Sequence, residues 1–168
     1  MLEEKQMTDI RVRVGTPEDV HQFMDLCLQG SEENGFVQPD PQKLLAEVWP
    51  ALNRDGGICG VIGAPGADHF EGGILLRTCK LWYSDQLVLE ERGVFVHPEY
   101  RSAKGGRARK LCEFAKAAAA KLEMPLMIGI LSNSRTEGKV RLYERIFGKP
   151  SGAYWLCGAE TGVTNKAT

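Results

Sequence analysis

The run Val94-Phe95-Val96-His97-Pro98-Glu99-Tyr100-Arg101-Ser102-Ala103-Lys104-Gly105-Gly106-Arg107-Ala108-Arg109-Lys110-Leu111 carries the densest chemical information in the chain. An apolar strand ends, a glycine-containing loop follows and a helix begins. A helix start presents backbone N–H groups without intrahelical partners, together with the positive end of the helix dipole. Small residues let an anion approach those donors closely. Arg101, Lys104, Arg107, Arg109 and Lys110 concentrate positive charge at the same place. A bound diphosphate suits this arrangement; a solvated basic helix start with a glycine turn is the plainer alternative. Neither the Walker phosphate-loop spacing nor Gly-x-Gly-x-x-Gly occurs, which weighs against nucleoside triphosphate and dinucleotide chemistry.

Glu90 and Glu91 lie on the strand that leads into this loop. Adjacent strand residues face opposite ways, so at most one of the two points into a cleft. His97, just before the loop, reads as structural or exposed, and Cys112 as a small core residue of the following helix. The five cysteines are widely spaced, no Cys-x-x-Cys occurs, and the only histidines are His21, His69 and His97. That pattern is neither a zinc framework nor a secreted disulfide scaffold, so no metal is expected. It reads as reduced, mostly buried thiols in a cytoplasmic protein.

The elements that must position these groups follow from periodicity. Residues 1–8 form a polar, flexible leader. Ile10-Arg11-Val12-Arg13-Val14 alternates like a half-buried strand. Thr16-Pro17-Glu18-Asp19 opens a helix with Val20, Phe23, Met24, Cys27 and Leu28 at helical spacing, and Gly30 is expected to stop it. A polar loop over 31–39 precedes a second helix from Asp40-Pro41, with Leu44, Leu45, Val48 and Leu52 on its inner face. Residues 58–62, 74–82 and 87–96 read as three strands of an antiparallel meander. A helix carrying Leu111, Phe114, Ala115, Ala118 and Leu122 comes next, then a buried strand at 126–131. A helix over 136–147 and a strand over 153–157 complete the series, and 159–168 is a flexible tail. The order β-α-α-β-β-β-α-β-α-β defines an α/β (α+β) fold with a single mixed sheet flanked by helices. The strands at 87–96 and 126–131 should be parallel neighbours joined by a right-handed crossover.

Composition agrees with one domain over residues 9–158. The chain has 168 residues, 43% hydrophobic and 26% charged, which suits a single packed core. Its 21 Lys and Arg against 22 Asp and Glu leave a net charge of −1. That balance, and a basic run without interleaved aromatics, argues against nucleic-acid binding. The longest strongly apolar stretch, 126–131, falls far short of the roughly 20 residues a membrane helix needs. The acidic, polar start Met-Leu-Glu-Glu-Lys shows no signal peptide.

Residues 9–158 resemble the GNAT-type N-acetyltransferases. The resemblance rests on Val96-His97-Pro98-Glu99-Tyr100-Arg101, the Gly/Ala loop and helix, and Arg141-Leu142-Tyr143-Glu144-Arg145. Tyr-Glu-Arg-Ile-Phe-Gly followed by Gly-Ala-Tyr-Trp is similar to divergent members common in phage genomes. The family pattern is Arg/Gln-x-x-Gly-x-Gly/Ala. Read without gaps from Arg101, it meets Gly106 at its last position and Lys104 where the first glycine belongs. Read with an insertion, Gly106 and Ala108 fit, Leu111 falls on the inner helix face and Ala103 replaces the Arg/Gln; this register is preferred.

The resemblance implies acetyl coenzyme A as co-substrate. Arg101 and the backbone of Lys104, Gly105, Gly106, Arg107, Ala108 and Arg109 would hold its pyrophosphate. Val94, Phe95 and Val96 would meet the pantetheine arm and thioester. Asn133 would bond that arm or cap the last helix; the asparagine usual seven residues before the tyrosine is here Thr136. Tyr143 would protonate the thiolate, an aromatic core contact being the alternative, and Glu90 or Glu91 would take the amine proton, directly or through water. The acceptor would be a primary amine, small molecule or peptide, with Trp82-Tyr83-Ser84-Asp85, Ser31-Glu32-Glu33-Asn34 and Trp49 around its site. The rival class is a GNAT-fold protein without activity that binds a protein partner, which the irregular loop and the missing asparagine favour. Homodimerisation through the last strands is common in the family, and nothing in this sequence specifies it.

Overall fold

Ile74, Leu75 and Leu76 are consecutive and all buried, which a strand allows only when both its faces are covered. The computed structural model describes residues 9–101, 105–132 and 135–159 and shows what covers them. Its elements are β1 (Arg13–Val14), α1 (Val20–Asn34), α2 (Pro41–Leu52), β2 (Gly57–Ile62), β3 (Gly72–Lys80), β4 (Leu87–Val96), α3 (Arg107–Lys121), β5 (Leu126–Met127) and α4 (Thr136–Phe147), with short 3-10 turns at Pro17–Asp19 and Pro98–Tyr100. The strands form one five-stranded sheet in the order β1-β2-β3-β4-β5. The first four pair antiparallel, and β4 pairs parallel with β5, as the sequence predicts.

Leu75 joins Phe23, Leu26, Val48 and Leu52 under α1 and α2. Ile74 and Leu76 join Leu89, Leu111, Ala115 and Ala119 under α3. The alanines of α3 keep its axis close to the sheet, so the loop before α3 is anchored where β4 ends. Asp19 is a buried charge, 2% exposed, and the Arg13 guanidinium grips it bidentately at 2.8 Å. Thr16 N–H also donates to Asp19, closing a capping box at the entry to α1.

Several predicted boundaries move. Gly30 does not stop α1, which runs on to Asn34 with Gly35 in the left-handed region as its cap. The 31–39 loop therefore starts four residues late. Gly30 and Gly93 instead make room for one ring: a Cβ on either would run into Phe95. β1 covers Arg13–Val14 rather than 10–14, because its partner β2 ends at Ile62 and the Arg13 side chain takes the Gly63 carbonyl at 2.7 Å. Leu45 lies off the Leu44-Val48-Leu52 stripe and is exposed, as is Leu122, the C-cap of α3. The strand predicted over 126–131 is only Leu126–Met127. Residues 153–157 form no strand and are exposed: a sixth strand needs β5 as its neighbour, and two residues offer almost no ladder. Among the described residues no helix is long and apolar enough to cross a membrane. The leader 1–8 and residues 160–168 lie outside the described residues.

Candidate active site

The two adjacent glutamates separate as strand geometry requires. Glu90 faces α2: it accepts from the Cys79 thiol at 3.0 Å and pairs with Arg92 at 2.9 Å, and Arg92 reaches Glu47 of α2 at 3.3 Å. Those partners make Glu90 a member of a structural charge network and not a free base. Glu91 shares the face of Leu89 and points toward α3 and α4. The ladder places Leu76 opposite Glu91 and Leu75 opposite Gly93, so Arg92 is the extra residue of a β-bulge.

That bulge sits where β4 loses its neighbour. β5 pairs with Leu89 and Glu90 only, so among the described residues β4 has no sheet partner on this side from Glu91 onward. Gly129, past the end of β5, donates its N–H to the Glu91 carboxylate at 3.4 Å. The backbone of Val94, Phe95 and Val96 thus lies at an open strand edge, and Arg101 turns back to donate to the Val96 carbonyl at 2.8 Å.

Burial raises the Glu91 carboxyl from 4.5 to about 7; the Glu90 charge adds to this, while the Gly129 N–H, Arg92 and Lys139 oppose it. Tyr143 of α4 and Cys112 of α3 complete the group. Their hydroxyl and thiol lie near enough to shift one another's proton affinity, and both feel the Glu91 charge. Burial pushes the Tyr143 hydroxyl well above its ordinary value and the Cys112 thiol up to about 12. Both are therefore protonated at neutral pH. The Tyr143 ring also meets Phe147 edge-on at 5.6 Å. Arg101 also pairs with Glu33 at the end of α1 at 2.6 Å, and Lys139 donates to Ser132 at 2.9 Å. Burial and the Arg101 and Arg135 charges lower the Lys139 ammonium below its ordinary value.

The loop before α3 is described from Gly105 onward. Gly106 is the N-cap of α3 at φ +62°, a conformation suited to glycine, and no side-chain cap occupies the helix start. The first-turn N–H groups of Arg107, Ala108 and Arg109 are thus arranged to receive an anion. The side chains of this turn are already engaged: Arg107 pairs with Glu71 at 3.0 Å and lies over the Tyr100 ring at 4.7 Å, and Arg109 pairs with Glu113 at 3.7 Å. Lys104 and Asn133 lie outside the described residues.

The structure thus brings Tyr143 and Glu91 together and removes Glu90 to the opposite face. The placement of Cys112, Gly129 and Lys139 beside Glu91 is not legible in the sequence, nor is the pairing of Arg101 with Glu33, which the sequence assigns separately to the phosphate and acceptor ends. Their contacts join elements far apart in sequence, and the period of α3 identifies Cys112 only as an inner-face residue. Trp82 and Tyr83 project from the β3–β4 turn at 96% and 68% exposure, while residues 31–34 form the last turn of α1.

No family model matches the chain, and no curated protein matches it by sequence. Solved structures do. A probable acetyltransferase superposes with a TM-score of 0.66 at 19% identity, over 88% of this chain and 97% of the other. Ribosomal-protein-alanine N-acetyltransferase from Brucella melitensis biovar Abortus 2308 gives 0.61 at 15% identity, over 88% and 98%. An aminoglycoside N-acetyltransferase in complex with CoA gives 0.65 at 15%, over 88% and 92%. The chain has the fold of the GNAT-type acetyltransferases.

Proposed function

We propose that this protein is an acetyl-coenzyme-A-dependent N-acetyltransferase acting on a primary amine in the cytoplasm. The observation that carries the reading is the open edge of β4, where the Gly129 N–H holds Glu91, its carboxyl raised toward neutrality, within electrostatic reach of the protonated Tyr143 hydroxyl. The thioester, when bound, supplies the electrophilic carbonyl. The backbone of residues 94–96 would orient it, and the start of α3, with Arg101 and Lys104, would hold the diphosphate. Asn133 would bond the pantetheine arm.

Glu91 takes a proton from the acceptor ammonium, directly or through water, and frees the nitrogen lone pair to attack the acetyl carbon. The carbon–sulfur bond breaks as the amide forms, and the Tyr143 hydroxyl gives its proton to the departing sulfur. The second proton of the amide nitrogen passes through water to restore Tyr143, and Glu91 releases its proton to solvent. Two of the similar structures are aminoglycoside acetyltransferases, which supports a small-molecule amine as acceptor.

The test is thermal unfolding with acetyl coenzyme A, with adenosine diphosphate as control, followed by thiol release across an amine panel. Ligand at a hundredfold its Kd should stabilise the fold by about 2.7 kcal/mol, a shift of several degrees. The expected result is a shift that Gly106→Val abolishes, since a β-branched residue cannot hold φ +62° without strain. No shift at millimolar acetyl coenzyme A would overturn coenzyme use.

A further inference from the structure

Outside this cleft, the loop between β2 and β3 meets the turn that follows β4. His69 and His97 stack there with ring centroids 4.5 Å apart and planes inclined by 24°. Glu99 completes the group, and one ligand atom from each of the three lies within 4.8 Å of the others. Among the described residues this is the one cluster of three or more His, Cys, Asp or Glu side chains so converged. We propose that His69, His97 and Glu99 form a binding site for a divalent transition-metal ion of the Zn2+ type, with three protein ligands and an open position toward solvent.

Two imidazoles and one carboxylate are a donor set that Zn2+ takes, and hard ions such as Mg2+ favour all-oxygen shells. Bonds of about 2.0–2.2 Å place tetrahedral ligand atoms roughly 3.3–3.5 Å apart, so the three atoms need only close inward. Nothing rigid opposes that movement: His69 and Glu99 are exposed and His97 is half-buried. The hydrogen bonds now made by the rings are long. His97 Nδ1 accepts from the Glu99 N–H at 3.3 Å, and His69 Nε2 meets the Tyr100 hydroxyl at 3.4 Å, so neither commits its nitrogen strongly.

The backbone beneath is held more firmly. His97 N–H donates to the Glu71 carbonyl at 2.9 Å, Glu71 pairs with Arg107, and Arg107 lies over Tyr100. The supports are therefore fixed while the donor tips are free to adjust. The sequence hides this site because His69 and His97 belong to different loops, and only the β3–β4 pairing brings Gly72 beside Val96 and the histidines together.

The experiment is titration of the full chain with Zn2+ by calorimetry and by competition with a chromophoric chelator, with Mg2+ in excess. One ion per chain is expected, undisturbed by Mg2+. His69→Ala and His97→Ala should each weaken binding at least about tenfold, and Glu99→Gln should weaken it less. Cys157→Ser, which removes the exposed thiol, should leave binding unchanged. All four positions are exposed or half-buried, and matching thermal unfolding of the metal-free variants verifies folding. No saturable binding overturns the proposal. Binding that survives the loss of both histidines, or that disappears in Cys157→Ser, overturns it equally.

Discussion

Gly129 N–H donates to the Glu91 carboxylate at 3.4 Å across the point where β5 leaves β4. A residue that would have extended the parallel ladder instead holds a side chain, and the strand edge beyond stays open. The same event leaves the edge of β4 open and orients the carboxylate beside it. Burial outweighs this one N–H in setting the affinity of Glu91 for its proton.

The first prediction concerns that proton. With a carboxyl near 7, kcat/KM should rise with pH through about 7 and level off above, as Glu91 becomes the base. Glu91→Gln should remove this limb and lower the rate about 100-fold or more. Stability moves the other way. The folded value lies above the ordinary 4.5, so the contribution is full below 4.5 and is lost as pH rises through about 7. Glu91→Gln should therefore unfold at higher temperature than the parent at pH 8, with the difference vanishing in acid. Carboxyl NMR titration of Glu91 measures the same value without any substrate; a midpoint near 4.5 contradicts both statements.

Tyr143→Phe is the second. The ring and its contact with Phe147 survive, so folding should change little, while the proposed donor to the leaving sulfur disappears. Turnover should fall about 100-fold or more with coenzyme binding nearly unchanged, a separation that calorimetry and steady-state kinetics together resolve. Full turnover would remove the acid role.

Much of the frame behind these residues is legible in the sequence, and the reasons are local. Helix α4 spans Thr136–Phe147 as predicted, and Asp40 caps α2, accepting from Gln42 N–H at 2.9 Å ahead of Pro41, because caps and periodicity are short-range signals. The meander is likewise written in alternation and turn residues. What fails is set by partners. Gly30 looks like a helix stop until Phe95, a strand residue far along the chain, takes the space of its missing side chain. The strand at 126–131 is apolar enough, yet its length is fixed by where β4 stops accepting hydrogen bonds. In the site, alternation foretells that Glu90 and Glu91 separate, while which of them enters the cleft depends on the sheet face that α3 covers.

Cysteine reactivity gives the third prediction. Burial raises Cys59 and Cys112 to about 12 and raises Cys27 further, so none carries appreciable thiolate at neutral pH. Cys157 is exposed. Brief iodoacetamide treatment at pH 7.5, read by peptide mass spectrometry, should label Cys157 first and leave Cys27, Cys59 and Cys112 unmodified in the folded chain. Loss of acetyl transfer in step with labelling of Cys112, ahead of Cys157, would mean that this thiol takes part in the chemistry, against the direct-attack scheme.

The fourth prediction tests the frame itself. Asp19 is 2% exposed and held by two guanidinium bonds from Arg13, together with the Thr16 N–H. Those bonds, those to Arg13 foremost, keep its carboxyl below the ordinary 3.8 against the opposing effect of burial. Asp19→Ala strands the partly buried Arg13 and uncaps the entry to α1, and should cost about 3–5 kcal/mol, measured by urea unfolding at pH 7. The sign with pH is that of a depressed acid. Its contribution is full above 3.8 and is lost as pH falls through the lower folded value. The stability gap between parent and variant should therefore be constant from pH 6 to 8 and narrow only below about pH 4. A gap that instead closed near neutrality would mean that Asp19 is not ionised in the folded chain, and the pair with Arg13 would not be what holds β1 to the start of α1.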